Sequence, residues 1–318
     1  MGAYVLRRIL HGLVVIVLVS LGTFFMMRVI PGDPLDIYIH EKEISGLSKE
    51  DKEALRSKLG LDKPLLIQYL SWVKGVFKGD LGDSWFQNKP VSALISERMP
   101  VTINIGILAF LMGAIVGPVL GTICAIKRGT LLDGIITVLA NVGITMPTFW
   151  FGILLIYLFS LELQWLPVFG YTSPFDDFGM FIKQAIMPVA CLALPMIAGL
   201  TRQTRSAVLE VVSQDYVRTA WSKGLTERIV VFKHVIKNAF IPVVTMIGMQ
   251  FSMIFGGSVL IENVFNIPGM GRLLVNAVFA KDFQIVQSGV LIMAAIVVFV
   301  NLVVDISYGW FDPRVRLS

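Results

Sequence analysis

Residues 9–30 read ILHGLVVIVLVSLGTFFMMRVI, and His11 and Arg28 are the only ionisable side chains among them. An α-helix rises about 1.5 Å per residue, so roughly 20 apolar residues cross the ~30 Å hydrocarbon core of a bilayer. A half-buried soluble helix breaks its apolar face with polar positions every turn, and this run does not. Arg7 and Arg8 in front of it imitate the start of a secretory signal. The run is longer than a signal's apolar region, however, and no small-residue cleavage site follows. Pro31-Gly32-Asp33-Pro34 comes instead, so a retained membrane helix is expected.

The stretches at 101–126, 131–159, 181–201, 241–261 and 285–306 have the same character, which makes six expected spans. The fourth is the weakest, being interrupted by Pro188 and Pro195. Over the whole chain 55% of residues are hydrophobic and 15% charged, against about 25% charged in a soluble domain. Mean hydropathy is +0.76. The fold class is therefore an all-α integral membrane protein of six transmembrane helices, read as one transmembrane domain over 1–318.

Lysine and arginine set the orientation. Residues 1–8, 127–130, 201–240 and 307–318 together hold 13 basic residues and four acids. On the other side the loop 31–100 has 10 basic residues and 11 acids, and it is too long to count. The two short stretches on that side, 160–184 and 262–284, hold three basic residues. Both termini and the loop 202–240 are expected in the cytoplasm, and 31–100 outside. The net charge of +5 is thus a topology signal, and nucleic acid is not an expected partner.

Within 31–100, Ser48 opens a helix-like run that ends near Gly60, and 66–77 is apolar on one side through Leu66, Tyr69, Leu70, Val73 and Phe77. Such a face suits a helix lying along the membrane surface.

Charge inside a span marks a transport or relay site when it lies near the bilayer centre. Arg28, Asp133 and Asp305 all lie within about two turns of an expected helix end, where snorkelling to the interface is the ordinary reading. Asn104, Asn141, Thr145, Gln250, Ser252 and Asn301 are uncharged polar residues at depth, expected in helix–helix hydrogen bonds. Gly113, Gly117 and Gly121 form overlapping G-x-x-x-G units that let another helix approach, inside this bundle or in a second subunit. Pro118, Pro147, Pro188 and Pro195 predict kinks or breaks. Cys124 and Cys191 read as packing residues, and His11, His40 and His234 lack metal-ligand spacing. No G-x-x-x-x-G-K-[ST] phosphate loop occurs, so any ATP would be bound by another chain.

The loop 202–240 is the most informative segment. A helix is predicted over 214–223, with Asp215 favourable at its start and Lys223 at its end. Gly224 supplies a left-handed cap, and Thr226 with Glu227 restarts a helix toward Pro242. Its basic character fits either a face lying on anionic lipid or a surface for a protein partner.

Motifs here support the second reading. Asp215-Tyr216-Val217-Arg218-Thr219-Ala220, then Lys223-Gly224-Leu225 and Asn238-Ala239-Phe240-Ile241-Pro242, resembles the coupling loop of ABC importer permeases, more narrowly of the dipeptide/oligopeptide/nickel branch. The resemblance runs through the chain. It includes Pro31-Gly32-Asp33-Pro34, Gly60 to Pro64, Gly79-Asp80-Leu81-Gly82, Met146-Pro147-Thr148-Phe149-Trp150, Trp165-Leu166-Pro167, Glu262 to Phe265, Pro268 to Gly271 and Asp312-Pro313-Arg314. Arg218-Thr219-Ala220 stands where the wider superfamily has E-A-A, and Trp221 and Ser222 are larger or less basic than its pattern suggests.

The resemblance implies a permease without catalytic residues or cofactors of its own. It implies a second permease subunit, usually non-identical, and two ATP-binding-cassette ATPases that bind ATP and magnesium. An extracytoplasmic solute-binding protein would deliver the cargo. Asp215, Tyr216, Val217, Arg218, Thr219, Ala220, Trp221, Gly224 and Leu225 would couple the chain to an ATPase, with Val217, Ala220, Trp221 and Leu225 as apolar anchors and Arg218 as a polar one. Peptides are the default cargo of the branch, with nickel complexes or glutathione as alternatives. A secondary carrier, a membrane enzyme and a non-transporting scaffold are the rival classes; the first two would require mid-membrane charges, inverted repeats or a nucleophile–base set.

Overall fold

A computed structural model describes residues 2–29, 33–41, 48–58 and 61–311. Pro31-Gly32, Leu59-Gly60 and Asp312-Pro313-Arg314, on which several expectations rested, lie outside the described residues. Thirteen α-helices occur among those described, and the only β-pairing there is an isolated bridge between Asp83 and Pro90. Among the described residues five helices are long and apolar enough to cross a membrane, or six spans if one bent pair counts as a single span.

The larger of two compact units comprises Val101–Pro268 with the helical turns from Val300 onward. Its core lies on α8 (Phe178–Val212), where Ala185, Met187, Cys191, Leu192, Ala193 and Met196 are buried among Val101, Ile105 and Ala109 of α5 (Val91–Ile126) and Ile254 and Ile261 of α11 (Lys237–Val264). Cys124 and Cys191 are buried free thiols. Ile115, Leu139 and Leu161 are more than half exposed, an apolar surface that a soluble protein would cover.

The expected third span is not straight. α6 (Leu131–Thr145) and the helix beginning with α7 (Thr148–Leu155) and continuing as a π-helix through Ile156–Glu162 meet at 110°. The break falls at Met146 and Pro147, both extended, because Pro147 disfavours the helical conformation in the residue before it. Pro188 and Pro195, in contrast, lie inside the continuous α8, whose polar C-terminal half carries the helix beyond the expected 201.

The smaller unit comprises Gly2–Pro100 and Gly269–Phe299. Here α1 (Gly2–Val29) packs on α4 (Leu65–Phe77) through Phe24, Tyr69 and Trp72, and Ser20 Oγ lies 2.8 Å from Tyr69 Oη. Leu66, Leu70 and Phe77 of α4 remain exposed, whereas Tyr69, expected on the same face, turns into the core against Phe24. α2 (Pro34–Glu41) precedes α3 (Lys49–Lys58), which starts where Ser48 indicated: Asp51 N–H donates to Ser48 Oγ, and Ser48 N–H and Oγ donate back to Asp51. Those two donors hold the Asp51 carboxyl below its usual range.

Residues distant in sequence close this unit. Met27, Val91, Leu94 and Ile95 share a core with Met270, Leu273 and Ala277 of α12 (Met270–Phe279) and Phe283, Ile285 and Val286 of α13 (Phe283–Phe311). Ser84 Oγ donates to the buried Asp282 carboxylate at 2.6 Å.

Candidate functional site

The segment after α8 was the strongest expectation, and α9 (Asp215–Ser222) occupies it. Asp215 sits in the first helical turn, where a carboxylate meets the positive end of the helix dipole. The helix ends at Gly224, φ +77°, whose N–H reaches Trp221 O at 2.9 Å. α10 (Glu227–Ile229) follows and runs through a π-helical stretch, Val230–Ile236, directly into α11.

The two faces of α9 differ from the expectation. Val217 and Ala220 are 0% and 5% exposed and join a core with Ala125, Ala207, Val208, Val230, Val235, Ala239 and Val243, against which Leu225 also packs. They therefore hold α9 onto its own chain and do not project as anchors. The physical reason is their spacing: residues three apart share a helix face, and this face meets the apolar π-helical turn. The outward face is polar, carrying Asp215, Arg218, Thr219 and Ser222, with the exposed rings of Tyr216 and Trp221 on its flanks. Tyr216 Oη accepts from Asn238 Nδ2 at 3.1 Å, tying α9 to the start of α11. The Arg218–Asp215 pair at 3.8 Å is solvent-exposed and adds little to stability.

Above this core, α6 is clamped to α8. Arg205 Nε and Nη2 donate to Asp133 Oδ1 and Oδ2 at 2.8 and 2.9 Å, a bidentate pair. Asp133 also accepts from Gly129 N–H at 3.0 Å. Asp133 is thus buried and paired, contrary to the snorkelling expectation, because its partner 72 residues onward belongs to the same helix bundle. Arg28 does not snorkel freely either: its guanidinium covers the Phe24 ring at 3.3 Å and donates to Gln68 Oε1. Asp305 is half-buried in α13. Asp133→Asn should lower the melting temperature of the purified chain by several degrees, and Arg205→Asp combined with Asp133→Arg should recover part of that loss. Equal melting of the wild type and both variants would contradict the clamp.

The glycine stripe faces α8. A Cβ on Gly113 would lie 2.6 Å from Met196 Sδ, on Gly117 2.7 Å from Leu200 Cβ, and on Gly121 2.5 Å from Thr201 O. Thr201 Oγ1 donates to Gly117 O at 3.2 Å. Two of the polar residues at depth also bridge elements: Asn104 Nδ2 donates to Tyr171 Oη at 2.8 Å and Ser252 Oγ to Asn301 Oδ1 at 2.5 Å.

Sequence reasoning missed Arg205, which it assigned to a loop, and Glu262, which accepts from Thr102 Oγ1 at 2.6 Å and is 1% exposed. A carboxylate one residue beyond an expected span gives no sign in hydropathy that the helix continues to Val264.

Residues 117–317 match the family described as the binding-protein-dependent transport system inner membrane component, and residues 1–106 match its N-terminal companion. A Brucella abortus (strain 2308) protein named as a peptide transport system permease is 41% identical over 316 residues, 99% of each chain. The oligopeptide transport system permease protein AppB of Bacillus subtilis (strain 168) is 36% identical over 319 residues, 99% of this chain and 100% of that one. Among solved structures, the inward-facing MetNI methionine ABC transporter aligns with TM-score 0.54 at 15% identity, over 70% of this chain and 96% of the other. An amino acid ABC transporter crystallised with histidines gives TM-score 0.51 at 19% identity, over 70% and 94%. These two likenesses concern the fold. The two family matches, in chain order, and the full-length relatives lead to one conclusion: the chain belongs to the inner membrane components of binding-protein-dependent transport systems, multi-pass proteins of the bacterial plasma membrane.

Proposed function

We propose that this chain is the permease subunit of an ATP-driven peptide importer, and that α9 is the element through which ATPase subunits move it. Full-length relatives named as peptide and oligopeptide permeases support the cargo. The observation that carries the coupling role is the division of α9 into two faces. Val217 and Ala220 fasten it to the core beneath α8 and α11, while Arg218, Thr219 and the rings of Tyr216 and Trp221 stay open to a partner. A push on α9 would therefore reach two long helices without the turn at Gly224 having to unfold. Coupling of this kind requires a rigid element that ATP and cargo bias differently.

In this reading both termini and α9 face the cytoplasm, two ATPases bind ATP and magnesium there, and a second permease completes the path. A solute-binding protein docks outside, and lipid surrounds the exposed apolar helices. The relatives named above are permeases of peptides and oligopeptides, which favours that cargo over nickel complexes, glutathione or secondary carriage.

The test is to purify the tagged chain from its native membrane in mild detergent and reconstitute it. ATP-dependent peptide uptake, with co-purifying chains that carry a G-x-x-x-x-G-K-[ST] loop, is expected. Trp221→Glu should reduce ATPase retention about tenfold at unchanged permease abundance, because the ring is 40% exposed and its loss leaves the core intact. A chain that purifies alone and transports without ATP would refute the reading.

A further inference from the structure

The smaller unit contains a cavity of about 230 Å³ lined by Arg28, Trp72, Trp85, Phe283, Gln284 and Gln287, among others. None of these residues takes part in the coupling segment. The indole Nε1 of Trp72 and the amide Oε1 of Gln284 belong to two of these lining residues; both atoms are enclosed by protein, without a hydrogen-bond partner among the described residues, and turning either side chain would bring its spare group to the cavity. Gln287 is 2% exposed and makes no hydrogen bond to a described residue. Arg28 donates to Phe24 O and Gln68 Oε1 but has no carboxylate partner among the described residues. Buried polar groups in folded proteins are ordinarily satisfied, so a lining whose residues carry a spare N–H donor, a spare amide oxygen, a spare amide and a cation with no carboxylate among the described residues is chemically incomplete.

The chemistry of that wall is specific. A guanidinium presents paired N–H donors that match a carboxylate. A carboxamide side chain and an indole N–H together offer the donors and acceptors of one peptide group. Trp72, Trp85 and Phe283 supply an apolar surface for a side chain. Lys63 and Asp80 stand at the exposed margin, and with Arg28 they leave the lining with more positive than negative charge, which favours an anion. Pockets for drug-sized ligands occupy about 300–1,000 Å³, and this one is smaller, suited to one or two residues.

We propose that this cavity binds the C-terminal residue of a peptide, with the carboxylate on Arg28, the adjoining peptide group on Gln287 and the Trp72 and Gln284 wall, and the side chain on the aromatic rings. That the carboxylate belongs to a peptide rests on the import reading above; the binding assay below succeeds or fails without reference to ATP-driven uptake. Two sources share this chemistry: the transported peptide, or the chain end of a docking protein.

The test is calorimetric titration of the full-length chain in detergent with N-acetyl-leucine and with N-acetyl-leucinamide. Saturable binding of the acid is expected, with the carboxamide at least tenfold weaker. Gln287→Leu and Trp72→Phe conserve volume and apolar packing, so both should fold, and each should weaken the acid about tenfold. No saturation into the millimolar range, equal binding of acid and carboxamide, or unchanged affinity in both variants would overturn the site. In the assembled transporter, a raised KM for peptide uptake in Gln287→Leu assigns the site to the cargo. Weakened association of the solute-binding protein, at unchanged peptide KM, assigns it to that partner.

Discussion

Gly121→Ala is expected to remove most of the folded chain from the membrane. A Cβ at this position would lie 2.5 Å from Thr201 O, 2.6 Å from Thr204 Cβ and 3.1 Å from Arg205 N. Two of these three atoms are backbone of α8, which neither a rotamer change nor a small side-chain shift can remove. Forced overpacking costs about 1–3 kcal/mol where side chains can yield, and more where they cannot. In cells a loss of even about 1–2 kcal/mol changes abundance several-fold, because the unfolded fraction is continuously degraded, and a backbone clash costs more. Folded abundance, read by detergent-extractable monodisperse protein, should fall about tenfold or more.

The stripe also sets an order. Gly113 faces the flexible Met196 side chain, so Gly113→Ala should be the mildest of the three, Gly117→Ala intermediate and Gly121→Ala the worst. Gly134 has no atom within 4 Å of a built Cβ, and Gly134→Ala should be neutral or slightly stabilising. Equal abundance of all four variants would show that α5 and α8 are not this close.

Gly224→Val is expected to abolish transport while leaving abundance near normal. No atom lies within 4 Å of a Cβ built there, so the constraint is the backbone alone: φ is +77°, a conformation costly for a β-branched residue. The turn would relax toward negative φ and redirect α9, although the buried Val217 and Ala220 still attach it to the bundle. Gly224→Asn provides the control, because asparagine tolerates the left-handed region better than other residues with a Cβ. Uptake should fall at least tenfold in Gly224→Val and recover largely in Gly224→Asn. Wild-type uptake by the valine variant would exclude a fixed turn from the coupling step.

How much of this was legible in the sequence depended on whether the signal was local. Apolar length marked the spans, and the helix expected over 214–223 appears as Asp215–Ser222, because its start and its glycine stop are both encoded within a few residues. The 110° break was only half legible. Pro147 signals a break, but hydropathy measures apolarity without direction, and both flanks are apolar. The Asp133–Arg205 clamp was hidden because pairing across 72 residues leaves no local trace and Arg205 seemed to lie past the end of its helix. The orientation of α9 was misread for a related reason. Its apolar residues Val217 and Ala220 look like anchors for any partner, and only tertiary packing decides that the partner is the chain itself.

The core that joins Leu94 and Ile95 to Phe283 and Ile285 has a consequence for biogenesis. When the ribosome has delivered the first hundred residues, α1 can pack on α4, but Met27, Val91, Leu94 and Ile95 have nothing to pack against. The complement, from Met270 onward, emerges on the order of 10–40 s later at ~5–20 residues per second. During that interval the early segment depends on lipid or an insertion chaperone for cover. A chain truncated before α12 would leave it permanently uncovered, a substrate for membrane proteases, whereas supplying residues 269–311 as a separate co-translated fragment should restore its protection.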